Sequence, residues 1–189
     1  MSATEAAPSD DLARRQRALL ALLKGREPDV AVMVDDAYLQ AVAESPRLAV
    51  MRDIDVFWKE HSFRARCPFT AGLLQHHGQL HDEVTRLIRD MPLSPFMEEM
   101  ARDFLERCTR HPNPLVATLA QFELALTLTS QGDEAEYRIT WTHEPYRVLG
   151  ALLDGRAEHI EPADAAQQRY VTVVSAALPE RFRVEPLAG

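Results

Sequence analysis

The sequence predicts an α+β protein, with a mainly α-helical N-terminal body and a small C-terminal α/β tail. Apolar residues recur at three- and four-residue intervals from Leu12 to Leu126, which is the spacing of amphipathic helices. The pattern then changes to alternation over residues 137–141, which is typical of a strand with one buried face. We therefore predict a flexible tail at 1–8, a helical domain at 9–130 and a small α/β domain at 135–189.

The first helices of the body are predicted from polar residues at their starts. Ser9-Asp10-Asp11 places a polar cap and acidic side chains where the helix dipole favours them, and Gly25 ends that helix. Asp35-Asp36 opens a second, short helix, which Ser45-Pro46 closes. The next segment is an amphipathic helix with an aromatic end, built from Leu48, Met51, Ile54, Phe57 and Trp58.

The later helices are punctuated by proline and glycine. Cys67-Pro68 interrupts the chain, a short helix then runs to Gly78, and another carries an apolar stripe from residue 80 to 91. Ser94-Pro95 and Asn113-Pro114 each place proline at the first helical position, where its missing N–H group is no loss. Both motifs therefore predict helix starts.

The tail is predicted to contain strands and one helix. Residues 137–141 form a strand, and 145–153 form a helix that stops at Gly155. The β-branched run 170–174 and the alternating residues 182–184 are interpreted as two strands joined by a turn at Pro179. A single helix from Ala163 to Leu178 is the alternative, and the sequence leaves both open.

Composition excludes several classes of protein. The chain has 189 residues, of which 46% are hydrophobic and 26% charged, an ordinary composition for a folded domain. No apolar run approaches the roughly 18 residues that a membrane span needs, and the acidic N-terminus lacks the features of a secretion signal, so we expect a cytoplasmic protein. The net charge of −8 argues against nucleic acid as a partner. Two cysteines cannot form a disulfide framework.

No residue pattern identifies a catalytic centre. His77 and His81 have the spacing of metal ligands on one helix face, but Gly78 interrupts that turn, so a solvated surface cluster is favoured over a stand-alone helical metalloenzyme. Cys67 follows Arg64 and Arg66, which would lower a thiol pKa, yet a buried structural cysteine is commoner. The basic stretch 10–26 could contact DNA, as in a regulator, but a solvated helix face is the simpler interpretation.

The tail offers a candidate binding site. A strand with Tyr137, Ile139 and Trp141 could present an open edge to an extended peptide, and Trp141, His143 and Tyr146 form an aromatic group of the kind that anchors interfaces. Alternatively, these aromatic residues attach the tail to the helical body. The residues alone favour neither interpretation.

Two segments resemble a known family. The segment Arg47-Leu48-Ala49-Val50-Met51-Arg52, followed by Phe57-Trp58, is similar to an R-x-x-x-Y-R helix in partner proteins of multinuclear non-heme iron-dependent oxidases. The segment from Asn113-Pro114 to Ala125 resembles their P-x-L-A-x-L-A-x-x-E-x-A helix. The similarity extends over residues 10–155, with Met51 where the family often has tyrosine and Leu124 where it often has tryptophan.

This resemblance implies a non-catalytic role in the biosynthesis of ribosomally made peptide products. The family's partner proteins bind a precursor peptide and present its cysteine to a separate iron-dependent TIM-barrel oxidase. Within the family, this chain most resembles the partner protein of a 3-thiaglutamate-type pathway. The resemblance implies no cofactor in this chain, since the iron belongs to the oxidase. Holding the peptide beside the oxidase would raise its effective concentration at the active site.

Overall fold

Helices form most of the chain, and a three-stranded antiparallel sheet lies toward its C-terminal end, so the α+β prediction is confirmed. The computed structural model describes residues 8–92, 94–160 and 169–187. The predicted tail at 1–8 therefore lies outside the described residues, except for Pro8 at the start of the first helix. The elements, in chain order, are α1 (Pro8–Leu23), α2 (Val30–Val34), α3 (Ala37–Ala43), α4 (Pro46–Arg66), α5 (Pro68–His76), α6 (Leu80–Asp90), α7 (Met97–Cys108), α8 (Pro114–Ser130), β1 (Tyr137–Trp141), α9 (Pro145–Leu153), a 3₁₀ turn (Ala157–His159), β2 (Tyr170–Val174) and β3 (Phe182–Pro186).

The chain divides into two compact units. The first contains the described residues up to Trp58 together with Ile88–Met91, and the second contains Lys59–Leu87 together with the described residues from Pro92 onward. The sheet belongs to the same unit as α5 and α8, whereas the sequence placed a domain boundary between 130 and 135. Aromatic packing accounts for this grouping, because the Phe122 ring on α8 lies 5.7 Å from that of Trp141 and 5.2 Å from that of Phe182.

The first unit has a small aliphatic core. Ala18 and Leu22 of α1 pack with Leu39 of α3 and Leu48 of α4, and all four are buried. Arg52 lies one turn beyond Leu48, and its Nε donates a hydrogen bond of 2.8 Å to the carbonyl oxygen of Leu22. This bond joins α4 to the end of α1, where the same carbonyl oxygen also accepts a hydrogen bond from the N–H group of Gly25.

The second unit has an aromatic core. Phe63 of α4 stacks on Phe104 of α7 with ring centroids 4.2 Å apart, and both side chains are fully buried.

The predicted start of α8 is confirmed. Asn113 Oδ1 accepts hydrogen bonds from the backbone N–H groups of Leu115 and Val116, and Pro114 occupies the first turn.

The sheet has the order β1-β2-β3, with both pairs antiparallel. The strand interpretation of 170–174 is confirmed, while the earlier part of the alternative helix, 163–168, lies outside the described residues. Register places Ile139, Thr172 and Val184 side by side across the three strands. Because side chains alternate along a strand, Trp141 and Phe182 share the face of these residues, which packs on α8.

One helix start differs from the prediction. The sequence placed it at Ser94-Pro95, but α7 begins at Met97. The Ser94 hydroxyl accepts a hydrogen bond of 3.2 Å from the N–H group of Phe96, which forms a local turn, and Phe96 itself has an extended backbone at the cap position. A serine side chain can thus compete with the helix for nearby backbone groups.

Candidate functional site

The outer strand β1 is the first element of the candidate site. Within the described residues β1 pairs with β2 and with no second strand, so its other edge is unpaired. Alternate residues of an antiparallel edge strand direct their N–H and C=O groups away from the neighbouring strand. An extended segment of another chain can bind such an edge through backbone hydrogen bonds.

The two central site residues have buried side chains. Ile139 is 4% exposed, and Trp141 is fully buried against Phe122. Their side chains therefore attach the sheet to α8, as one of the two interpretations of the sequence holds. At these positions only backbone groups are left to contact a partner, and only where the strand directs them outward.

The other three site residues lie nearer the surface. Tyr137 is partly exposed and donates a hydrogen bond of 2.7 Å to Asp133, while His143 is partly exposed and its Nδ1 lies 3.0 Å from the Thr142 hydroxyl. Tyr146 follows on α9 and is 55% exposed, with its ring 6.1 Å from that of Phe182. The structure therefore separates the predicted aromatic group into a buried anchor, Trp141, and an exposed ring, Tyr146.

The opposite face of the sheet is charged. Arg138 of β1 pairs with Glu185 of β3 at 3.4 Å, and Arg183 pairs with the same carboxylate at 2.7 Å. Hydrogen bonds from Arg183 and the charges of both arginines lower the pKa of Glu185. The register places Val173, which is buried, between the two arginines. The two arginines therefore flank an apolar strand position on the face away from α8.

The sequence analysis missed an exposed apolar face on α4. Of the five residues predicted on one amphipathic face, only Leu48 is buried, and it shares its side of the helix with Arg52 and Val56. The opposite side is apolar as well and exposed by 46–60%. We call it the α4 stripe, and it consists of Val50, Met51, Ile54, Phe57 and Trp58. Contiguous exposed apolar residues of this kind mark interaction surfaces.

A buried carboxylate joins α8 to α5. Glu123 Oε1 accepts a hydrogen bond of 2.9 Å from the N–H group of Phe69, and Oε2 accepts one of 2.8 Å from the N–H group of Thr70. Glu123 thereby caps the first turn of α5, where the preceding residue, Cys67, supplies no side-chain cap. Burial raises the pKa of Glu123 to about 7, while the hydrogen bonds from α5 act in the opposite direction.

The histidine pair does not share a helix face. His77 is the C-cap residue of α5, and Gly78 follows it with a φ of +68°. His81 belongs to the next helix, α6, and its Nδ1 lies 2.8 Å from Glu60 Oε1. Burial and the neighbouring His76 lower the pKa of His77. In the three described ranges, no three His, Cys, Asp or Glu side chains come together as a set of metal ligands.

Both cysteines are buried core residues. Cys67 and Cys108 are at most 1% exposed, and burial raises the pKa of both thiols, that of Cys108 to about 12. The nearby Arg66 acts against this rise at Cys67, but the effect of burial is larger. A reactive Cys67 is therefore contradicted, because the nucleophile would be the thiolate.

The described helices include none that is both long enough and apolar enough to cross a membrane. The chain was also compared with models of protein families, with curated proteins and with solved structures, and none of them matched it.

Proposed function

We propose that this chain is a non-catalytic partner subunit that binds a ribosomally synthesised precursor peptide and presents its cysteine to a separate iron-dependent TIM-barrel oxidase. A 3-thiaglutamate-type pathway is the setting we favour. The proposal assigns no cofactor to this chain and places the iron in the oxidase. A cytoplasmic location is part of the same proposal, since the precursor peptide is made by ribosomes.

The open edge of β1 is the observation that carries the proposal. An extended peptide that pairs with this edge gains backbone hydrogen bonds whatever its sequence, and side-chain contacts then add specificity. Tyr146, exposed beyond the end of β1, is the side chain we assign to such a contact. The edge of β3 suits the peptide less, because that strand ends at Pro186, which has no N–H group to donate.

The α4 stripe is the surface that we assign to the oxidase. A folded partner needs a broad apolar patch, and the stripe extends over two turns of helix, about 12 Å. The stripe also lies within the segment 47–58, one of the two segments that carry the resemblance to oxidase partner proteins. The two partners would thus bind to different elements, the peptide to β1 and the oxidase to α4.

Amide hydrogen exchange tests the assignment of the peptide. The probe is a short cysteine-containing peptide of the kind that the proposal expects to be encoded beside the gene for this chain. Alternate N–H groups of β1 face away from β2, and they belong either to residues 138 and 140 or to residues 137, 139 and 141. We expect this outward-facing set to exchange at least tenfold more slowly when the peptide is bound. The amides of β3 serve as the internal comparison, because β3 is the other outer strand of the sheet. Peptide binding that leaves β1 unprotected, or that protects β3 instead, would contradict the proposal.

A pair of surface variants tests the assignment of the oxidase. Phe57→Glu places a charge in the α4 stripe, and we expect it to weaken binding of the proposed oxidase partner at least tenfold. Leu153→Glu is the matched control, because Leu153 is 70% exposed on α9, outside the stripe. Equal affinities for the two variants would refute this assignment. The assignment would also be refuted if the wild-type chain forms a dimer at high concentration and Phe57→Glu does not. A second copy of the chain would then cover the stripe.

The two alternative functions have different signatures. A helical metalloenzyme that uses His77 and His81 predicts tightly held stoichiometric metal that is lost on His77→Ala. A DNA-binding regulator predicts binding to duplex DNA that weakens steeply as salt is raised. Either result would overturn the proposed function.

A further inference from the structure

An open cavity of about 410 Å³ lies beside the start of α5 in the second unit. Phe69 and Leu126 form apolar parts of the cavity wall, and Glu123 also lines the cavity. Arg66 and Glu98 line it too, and they form an ion pair of 3.1 Å in which both side chains are about half exposed. The cavity therefore combines apolar walls with a surface ion pair and a buried acidic residue.

The charge of Glu123 has no ionic partner in the described part of the chain. Arg66 is the basic residue of the cavity wall, and its guanidinium group pairs with Glu98. The other titratable groups that interact with Glu123 are the buried thiols Cys67 and Cys108, and a thiolate at either position would add negative charge. A buried carboxylate without a cation is costly, because two backbone hydrogen bonds replace only part of its hydration.

Glu123 also has unused hydrogen-bonding capacity. A carboxylate group can accept about four hydrogen bonds, and that of Glu123 has two backbone N–H donors on α5 and an interaction with the Thr70 hydroxyl. Phe69, whose N–H group lies 2.9 Å from Oε1, lines the cavity as Glu123 does, so the carboxylate lies close to the cavity wall. A donor that enters the cavity can therefore reach a carboxylate that has a free lone pair.

We propose that this cavity binds an organic cation, an ammonium or guanidinium group on a short apolar stem, with the cation at Glu123 and the stem against Phe69 and Leu126. A metal ion fits the site less well, since no three His, Cys, Asp or Glu side chains come together there among the described residues. An anion would be repelled by the negative charge of Glu123. Sites for small molecules combine apolar walls with a few polar groups in this way.

Binding of the cation requires the carboxylate form of Glu123. Since the pKa of Glu123 is about 7, most of these side chains carry a proton at pH 6 and have lost it at pH 8. The affinity for a cation should therefore be about tenfold higher at pH 8 than at pH 6. If Glu123 only caps α5, no cation should bind at either pH.

A titration of the full chain with phenethylammonium chloride, followed by NMR, tests the proposal. We expect shifts at Phe69 and Leu126, about tenfold weaker affinity at pH 6, and little binding of 3-phenylpropan-1-ol, which has a similar stem without the charge. Glu123→Gln removes the charge and should weaken binding at least tenfold. Glu134→Gln is the control, because it removes an exposed carboxylate that does not line the cavity, and it should retain binding.

Leu126→Trp provides a second variant, which fills the cavity and keeps Glu123. It should abolish binding, so the proposal stays testable if Glu123→Gln does not fold. The absence of any binding by the wild-type chain would overturn the proposal. Equal affinity for the alcohol and the ammonium ion, or full affinity in Glu123→Gln, would overturn it as well. None of these outcomes depends on the oxidase or on the precursor peptide.

Discussion

The carboxyl group of Glu123 predicts an unusual dependence of stability on pH. Its pKa rises from the ordinary value of 4.5 to about 7 in the folded chain, chiefly because the group is buried. Between pH 4.5 and pH 7 the folded chain therefore keeps a proton that the unfolded chain has lost. The free energy of unfolding must then fall as the pH rises through this window.

The size of the effect follows from the two pKa values. At about 1.4 kcal/mol for each pH unit, the difference between 4.5 and about 7 corresponds to about 3 kcal/mol. Glu123→Gln replaces the carboxyl group by an amide of nearly the same shape that does not titrate. We expect the stability of the wild type, measured relative to this variant, to fall by about 3 kcal/mol from pH 4.5 to pH 8.

Urea denaturation followed by circular dichroism measures this difference. Subtracting the variant from the wild type at each pH removes the contributions of the other titrating groups. Glu98→Gln controls for the loss of one carboxylate from the same unit. A constant difference between the wild type and Glu123→Gln, or a difference that grows with pH, would refute the reasoning. Growth with pH would mean that the α5 cap lowers the pKa more than burial raises it.

Three further outcomes are expected. Phe104→Ala removes a fully buried ring stacked at 4.2 Å on its neighbour and should destabilise the chain by about 3–5 kcal/mol in urea denaturation, and a loss below 1 kcal/mol would contradict the core described here. Asn113→Ala removes the side-chain cap of α8 and should cost about 1 kcal/mol in the same assay, whereas no loss would show that this cap is dispensable. Cys67 and Cys108 should react with a thiol reagent only after unfolding, because burial raises the pKa of both groups, and rapid labelling of the native chain would contradict their burial.

Elements with local signals could be predicted from the sequence. Asn113-Pro114 combines a side-chain cap with a proline in the first turn, and α8 begins there. Gly78 and Gly155 end helices at positive φ, a conformation that glycine adopts without strain. The alternation at 137–141 predicts β1, because the period of a strand is set within the strand itself.

Features that depend on packing between distant segments could not be predicted. Glu123 caps a helix that begins more than 50 residues earlier, and no local pattern indicates such a contact. On α4 both sides of the helix carry apolar residues, and only the packing in the first unit shows that the side of Leu48 and Val56 is buried. The burial of Trp141 likewise follows from where α8 lies against the sheet.

Two residues in the segments that carry the resemblance have structural contacts of one kind. Arg52 donates to a carbonyl group at the end of α1, and Glu123 accepts from N–H groups at the start of α5. Arg52 is a second donor to the carbonyl group of Leu22, and Glu123 pairs N–H groups that the start of α5 leaves without a partner in the helix.

Reconstitution with separately purified components tests the central proposal most directly. The proposed oxidase partner, loaded with iron, is incubated with the proposed precursor peptide in the presence or absence of this chain, and the mass of the peptide is followed. The proposal predicts a mass change when all three are present, little change without this chain, and none when this chain acts on the peptide by itself. Conversion of the peptide by this chain without the oxidase, or an equal rate with and without this chain, would contradict it.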